Sequence, residues 1–229
     1  MTSTSRSAPP ATVPVTGSAT RIRVVAGALG AAALTAAALL VGTPWGDRYS
    51  SSADEVITYE RLDAVPDGAW VGMLANGLAL AILAISLGLV VCHLVDGRGR
   101  LAALLGALLV TVGGVLSAMG NLSFATLIYF ASTVPEDVGR PLVDYANDSP
   151  GKLLGATMAG FFLSTLGQLA LATALIRARA VPVAAVAAYV LLMPLQFAPL
   201  PGRAIDALQI VMMASYAALA VTILRRPAA

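Results

Sequence analysis

Five polar side chains lie in or beside long apolar stretches of the sequence and are the first candidates for chemistry. They are Asn76, Asn121, Gln196, Asp206 and Gln209. A polar group in an apolar environment costs free energy unless it has a hydrogen-bond partner. Amides there can hold a ligand, and a carboxyl group kept out of water has a raised pKa and can donate a proton. Asp206 could be such a donor if it is buried in lipid, but we favour a position at the outer headgroup level beside Arg203, three residues earlier on the same helical face.

These candidates share a shallow depth within their apolar stretches. Gln209, for example, lies about 8 Å from the start of its stretch at the helical rise. Pro194 would kink a neighbouring helix and open space beside it. We therefore predict an outward-facing polar pocket, below an acidic segment containing Glu60 and Asp67, that accepts a small ligand or a lipid headgroup. The alternative is that the amides bond neighbouring helices while the shallow residues contact interfacial water.

The other polar features of the sequence give less evidence of a functional site. Gln168 lies deeper and would form a single interhelical hydrogen bond. The one cysteine, Cys92, excludes an internal disulfide and any multi-cysteine zinc site. Its neighbour His93 diverges from it by about 100° on a helix, so the two do not easily share a metal. The run GRGRLA at 97–102 approaches the dinucleotide glycine motif, but no strand precedes it. We expect no metal, no cofactor and no nucleic-acid partner.

The composition tells us what surrounds these residues. The chain has 229 residues, of which 58% are apolar and only 11% are charged. A soluble domain carries about 25% charged residues, so this composition excludes a water-soluble enzyme. Disordered chains are polar and highly charged, so general disorder is excluded too. The expected surroundings are the lipid bilayer.

Six apolar stretches have about the length that a membrane-crossing helix needs, which is about 20 residues. They cover residues 24–43, 70–94, 101–120, 153–176, 181–198 and 204–224. The alternation of a barrel strand is absent. The predicted fold is an all-α membrane protein, with residues 21–226 forming a six-transmembrane-helix bundle. Residues 1–20 are mostly Ser, Thr, Pro and Ala and are predicted to be a flexible cytoplasmic tail.

The charges between these stretches predict an orientation. Loops on one side carry nine basic residues and one acid, Asp96. The nine are Arg6, Arg21, Arg23, Arg98, Arg100, Arg177, Arg179, Arg225 and Arg226. The other loops are acidic on balance, and the two kinds alternate along the six stretches. Because basic loops stay in the cytoplasm, both termini are predicted to be cytoplasmic and the protein to lie in the inner (plasma) membrane.

The external loops contain signals for short amphipathic helices. Residues 52–55, Ser-Ala-Asp-Glu, form a capping box, and 133–136, Thr-Val-Pro-Glu, repeat it with proline in the first turn. Residues 121–133 either extend the third helix or lie at the interface. We favour the interface because Gly120-Asn121 is a plausible break. Ser149-Pro150 should start the fourth span.

Small residues recur every four positions and predict where helices approach each other closely. The rows are Gly27, Ala31 and Thr35; Gly106, Gly114 and Ala118; Gly113, Ser117 and Asn121; and Gly151, Gly155 and Ala159. We interpret them as packing within one bundle. The alternative is an interface of a homo-oligomer.

The run LATALIRARAVP at 171–182, directly followed by another apolar span, resembles the uncharacterised multi-pass membrane proteins of actinobacteria. The resemblance covers the fourth to sixth spans and departs from the usual pattern at Val183 and Ala184, where a tryptophan often follows the proline. It implies a bacterial membrane protein containing a domain of unknown function and assigns no catalytic residue.

The leading functional hypothesis is a membrane protein, without a recognisable enzyme site, that binds a small or lipidic ligand or a partner from the external side. The first alternative is a membrane-embedded enzyme acting on a lipophilic substrate, for example an isoprenoid cyclase with Glu60 and Asp206 as proton donors. The second alternative is a transporter component, which the lack of internal repeats and of deep charges disfavours.

Overall fold

The computed structural model describes residues 16–42, 57–60, 69–198 and 202–225, and these ranges contain helices but no strand. We number the helices α1 to α7 in chain order. They are α1 Thr16–Gly42, α2 Ala69–Leu94, α3 Arg100–Thr133, α4 Glu136–Asn147, α5 Pro150–Ala178, α6 Val183–Leu192 and α7 Gly202–Leu224. The predicted all-α class is confirmed. Because α1 begins at Thr16, residues 16–20 of the predicted tail are helical, while residues 1–15 lie outside the described ranges.

Five of these helices, α1, α2, α3, α5 and α7, are long and apolar enough to cross a membrane. Large apolar side chains on their outer surfaces are exposed, for example Leu108 on α3 at 60%. Such a belt is unfavourable in water and suits contact with lipid. The high apolar fraction of the sequence therefore supplies the outer surface of the helices as well as the core.

The fifth predicted span is shorter than the others. The α-helix of α6 ends at Leu192, and a 3₁₀ helix follows at Met193–Phe197. Pro194 explains the change, because it has no N–H to continue the α-helical bonds. The Met193 N–H instead bonds the Val190 carbonyl, three residues back. The helix therefore tightens from α to 3₁₀ around Pro194, and the kink there stays a prediction.

Helix α3 does not break where the sequence suggested. It runs unbroken through Gly120 and Asn121 to Thr133, so placing residues 121–133 at the interface was wrong. Gly120 lies where α3 touches α5, and a Cβ there would come within 2.0 Å of the Thr157 hydroxyl. The glycine therefore provides close packing rather than a helix end. At about 1.5 Å per residue, α3 exceeds a ~30 Å hydrocarbon core by about 20 Å.

Helix α4 forms without the predicted side-chain cap. Its N-cap residue is Pro135, which makes no capping hydrogen bond, and the Thr133 hydroxyl donates to the Tyr129 carbonyl within α3. The predicted capping box at 133–136 was therefore wrong although the helix is present. The other one, at 52–55, lies outside the described residues. Helix α5 begins at Pro150 after Ser149, as predicted.

A cluster of buried side chains lies at one end of the bundle, which we call the cap end. Through Leu40, Met73, Phe124 and Val143, it joins the last turn of α1 and the first turns of α2 to the far end of α3 and to helix α4. Ile210 of α7 packs against the same cluster. The other end carries the arginines of the α2–α3 and α5–α6 turns and of residue 225, and we call it the arginine end. Helix α7 therefore starts near the cap end, although α5 finishes at the arginine end.

The α2–α3 turn is built on two glycines in the left-handed region. Gly97 has φ 71° and Gly99 has φ 102°, conformations that other residues rarely adopt. Arg98 stands between them. The glycines of the sequence GRGRLA therefore make a tight turn between two helices, as predicted.

Candidate functional site

A cavity of about 390 Å³ lies in the half of the bundle nearest the arginine end. Four helices, α2, α5, α6 and α7, contribute walls to it. The lining residues are Leu87, Val91, Gln168, Leu171, Ala172, Leu175, Val181, Pro182, Ala185, Val186, Ala188, Tyr189, Ser215, Tyr216, Ala218, Leu219 and Thr222. Small-molecule sites commonly have volumes of ~300–1,000 Å³ and mostly apolar walls. This cavity meets both conditions.

Three polar side chains meet in the wall of the cavity, each from a different helix. The Tyr189 hydroxyl donates a hydrogen bond to the Gln168 side-chain oxygen, and the Tyr189 and Tyr216 hydroxyls are hydrogen-bonded to each other. The two tyrosine rings are tilted, with centroids 5.6 Å apart. We call these residues the polar triad. It ties α6 to α5 and α7.

The hydrogen bonds within the triad leave a defined group available. If Tyr189 donates to Gln168, then Tyr216 donates to Tyr189, and both hydroxyl protons are used. The Gln168 amide nitrogen makes no hydrogen bond to the other described residues and keeps two N–H donors. The other hydroxyls lining the cavity are already used, since Ser215 donates to Val211 and Thr222 donates to Ala218. The unused hydrogen-bond donors in the lining are therefore those of the Gln168 amide.

The lining of the cavity contains no Asp, Glu, Lys, Arg or His. Its titratable side chains are the two tyrosines of the triad, whose hydroxyls are hydrogen-bonded to each other and to Gln168. In the described ranges, no group of three or more His, Cys, Asp or Glu could hold a metal ion. The arrangement is suited to holding a neutral ligand with an apolar body and a hydrogen-bond acceptor.

The residues predicted to form an outward-facing pocket lie elsewhere. Asn76 and Asp206 are buried, at 7% and 6% exposure, whereas Asn121, Gln196 and Gln209 are partly buried. None of the five lines the 390 Å³ cavity. They remain predicted ligand contacts on α2, α3, α7 and the 3₁₀ segment.

Two contacts place individual members of that set. Asn121 lies beside α2, because a Cβ built on Gly77 would come within 3.7 Å of the Asn121 Cβ. The Gln196 amide donates to the Met193 carbonyl of its own 3₁₀ segment at 3.5 Å. Asp206 also interacts with other groups of the chain.

Glu60, the other predicted proton donor, belongs to an exposed salt-bridge network at the cap end. Arg140 contacts Glu60 at 2.8 Å and Glu136 at 2.7 Å. A hydrogen bond from its own backbone and the hydrogen bond from Arg140 lower the pKa of Glu60. The two carboxylates raise the pKa of Arg140. A carboxyl group with a lowered pKa is a poor proton donor at neutral pH.

The cap is held together by buried contacts as well as by charge. The Asn147 amide donates to the Ile57 carbonyl at 2.8 Å, and the Ile57 N–H donates back to the Asn147 oxygen at 3.3 Å. Ile57 is fully buried, and the Arg140 guanidinium lies 5.1 Å from the centre of the Tyr59 ring. Residues 57–60 are therefore fixed against α4.

Replacing Glu60 with glutamine is expected to loosen residues 57–60 at neutral pH. Because the folded pKa of Glu60 is lowered, its ion pair stabilises the cap above the ordinary value of 4.5 and is lost as pH falls through the folded pKa. Deuterium uptake by the peptide containing 57–60 should be faster in Glu60→Gln than in the wild-type protein at pH 7. The difference should vanish well below pH 4.5.

The matched control for that measurement is Asp137→Asn. Asp137 is an exposed acid on α4 that makes no salt bridge within the described part of the chain. Its removal should leave uptake at 57–60 unchanged. Equal effects of the two substitutions would show that net charge, and not the ion pair, governs the cap.

No family model, no curated protein and no solved structure matches this chain. The resemblance to actinobacterial membrane proteins therefore stays a prediction.

Of the polar triad, only Gln168 could be singled out from the sequence. Gln168 was recognised as deep and assigned an interhelical hydrogen bond, which the structure confirms with Tyr189 as its partner. Tyr189 and Tyr216 were missed. The available signal was their depth, since each tyrosine places a hydroxyl well inside an apolar stretch, where a buried hydroxyl needs a partner.

Proposed function

We propose that the protein binds a small neutral ligand, with an apolar body and a carbonyl, ether or hydroxyl oxygen, in the cavity beside the polar triad. The supporting observation is the apolar cavity of about 390 Å³ with the donors of Gln168 in its wall. The triad offers hydrogen bonds, and the surrounding aliphatic side chains exclude charged molecules. The location favours binding in the half nearest the arginine end rather than at the cap.

The proposal includes a membrane topology. The chain crosses a bacterial plasma membrane six times, with the arginine end and both termini in the cytoplasm. The charge asymmetry of the loops supports the orientation. The direction of α7 supports the sixth crossing, because residues 183–201 must lead from the arginine end to the cap end. Together, α6 and its 3₁₀ extension cover about 25 Å.

The alternatives have less support from the geometry. An isoprenoid cyclase needs an acid in its apolar cavity, but Glu60 lies in the cap and Asp206 does not line the cavity. A transporter would need a polar path through the bundle, and this cavity is lined mostly by aliphatic side chains. Binding of a small neutral ligand is therefore the function that we propose.

A photoreactive alkyl ketone, a linear ketone carrying a diazirine, is a direct probe of this site. In purified protein it should label peptides of α5, α6 and α7 that line the cavity. Gln168→Leu removes the donor and should weaken binding about tenfold, since one hydrogen bond contributes ~1–1.5 kcal/mol. Labelling can be measured by mass spectrometry of the digested protein as a function of probe concentration.

A variant that fills the cavity provides the stronger test. Ala172 lines the cavity and is otherwise buried, so Ala172→Leu should occupy the ligand volume and abolish saturable labelling. Ala187 is exposed on α6 and does not line the cavity. Ala187→Leu should therefore label like the wild-type protein. Unchanged labelling in Ala172→Leu, with its thermal stability intact, would refute the proposed site.

A further inference from the structure

Two arginine-bearing turns lie against each other at the arginine end. A Cβ built on Gly99 would lie 3.1 Å from the Ala174 carbonyl oxygen and 3.4 Å from the Arg177 Cβ. The α2–α3 turn therefore touches the last turn of α5. Arg98 and Arg100 flank Gly99, and Arg179 follows Arg177 as the left-handed C-cap of α5. Four guanidinium groups thus belong to one small surface, which we call the arginine surface.

The charges of this surface are not neutralised by the protein. All four arginine side chains are exposed, and none makes a salt bridge with another residue in the described ranges. Asp96 is the one acid in either turn. At the cap end, by contrast, Arg140 is held by two carboxylates. Four adjacent uncompensated cations attract anions, and guanidinium groups bind phosphate oxygens in pairs of hydrogen bonds.

The position of the surface indicates where the anion comes from. The exposed apolar belt begins directly beside it, at Leu101, which is 70% exposed and follows Arg100 in the sequence. In a bilayer, guanidinium groups bordering an apolar belt lie at the level of the phosphate groups. A phosphate that is anchored in the same lipid layer is therefore already at the right depth.

We propose that the arginine surface is a binding site for the headgroup of an anionic phospholipid. Arg98 and Arg100 approach the phosphate from one turn, and Arg177 and Arg179 approach it from the other. The lipid chains then lie along the exposed apolar side chains of α3. This site is independent of the cavity and of the ligand proposed for it.

Native mass spectrometry of the whole protein in neutral detergent micelles tests the proposal. Phosphatidylglycerol and phosphatidylcholine are added at equal concentrations, and bound lipids are counted. The wild-type protein should retain phosphatidylglycerol over phosphatidylcholine by about tenfold or more. The double variant Arg98→Gln with Arg177→Gln should lose this preference. Equal retention of both lipids by the wild-type protein would overturn the proposal.

The control removes the same charge at the opposite end. Lys152→Gln combined with Arg203→Gln should keep the preference for phosphatidylglycerol. An equal loss in this control would show that overall charge, and not the arginine surface, selects the lipid. Inorganic phosphate should not displace the bound lipid, and complete displacement by inorganic phosphate would overturn the lipid assignment in favour of a soluble anion.

A charge-conserving variant separates lipid binding from a change in topology or folding. Arg98→Lys with Arg177→Lys keeps the positive charge that orients the loops but cannot make paired guanidinium–phosphate bonds. It should show a preference intermediate between those of the wild-type and glutamine variants. A lysine variant with no preference and unchanged thermal stability would still support recognition by guanidinium. If the lysine variant and the glutamine variant both kept the wild-type preference for phosphatidylglycerol, recognition by guanidinium would be contradicted.

Discussion

Gly113→Ala is expected to destabilise the bundle by about 3 kcal/mol or more, which is the upper range for overpacking a close contact. A Cβ on Gly113 would lie 2.5 Å from the Ser164 amide nitrogen and 2.6 Å from the Gly160 carbonyl oxygen. Both are backbone atoms of α5, so no side-chain rotation relieves the clash. At a loss of this size, the thermal midpoint in detergent should fall by about 10 °C.

Gly155→Ala on the neighbouring helix is the matched control. A Cβ there meets nothing within 4 Å. Because alanine is a better helix former than glycine, this variant should be as stable as the wild-type protein or more stable by up to ~1 kcal/mol. If both variants lost the same stability, helix propensity or detergent effects would explain the loss, and close packing of α3 on α5 would not.

The sequence could predict which small residues share a helix face, but not which faces meet another helix. Gly114 does contact α2, since a Cβ there would lie 2.2 Å from the Ala84 Cβ. Gly27 and Gly155, from two other predicted rows, face open space. The contact of α3 with α5 uses Gly106 and Gly113, which belong to two of the predicted rows, together with Gly120, and these glycines are seven residues apart. Whether a face of small residues packs against another helix depends on the position of that other helix, which the sequence of the face does not show.

Apolar length was a good guide to the helices but a poor guide to their ends. The second, fourth and sixth predicted stretches match α2, α5 and α7 to within about three residues at each end, whereas the first begins about eight residues after the start of α1. The third predicted stretch ends at residue 120, because hydropathy alone cannot show that a helix continues past its most apolar part to the segment on which α4 packs. A Cβ on Gly139 of α4 would lie only 2.3 Å from the Ala131 carbonyl. That contact between elements stabilises the extension.

The polar triad depends on rotation about each helix axis. Sequence depth places Gln168, Tyr189 and Tyr216 well inside their apolar stretches, but whether their side chains converge depends on how α5, α6 and α7 are turned. The shallow candidates illustrate the converse, since Asn76 and Gln209 do not line the cavity. Depth restricts the candidates, and packing selects among them.

The most decisive prediction about topology concerns the side of the membrane on which residue 198 lies. If α6 and its 3₁₀ extension cross the bilayer, Ala198 must emerge on the same side as Asp148 of the α4–α5 turn. In a Cys92→Ser background, single cysteines at Asp148 and Ala198 should react with a membrane-impermeant maleimide added to intact cells. The result is close to all-or-none, because the reagent does not cross the bilayer.

Single cysteines introduced at Arg98 and Arg225 should show the opposite pattern of maleimide labelling. Both belong to the arginine end and should react only after the membrane is permeabilised, since positively charged loops stay in the cytoplasm. Labelling of Ala198 together with Arg98 would mean that residues 183–197 enter and leave on one side. The shortness of α6 makes this the critical comparison, because its ~25 Å of helix crosses a ~30 Å core only with help from flanking residues or local thinning of the bilayer.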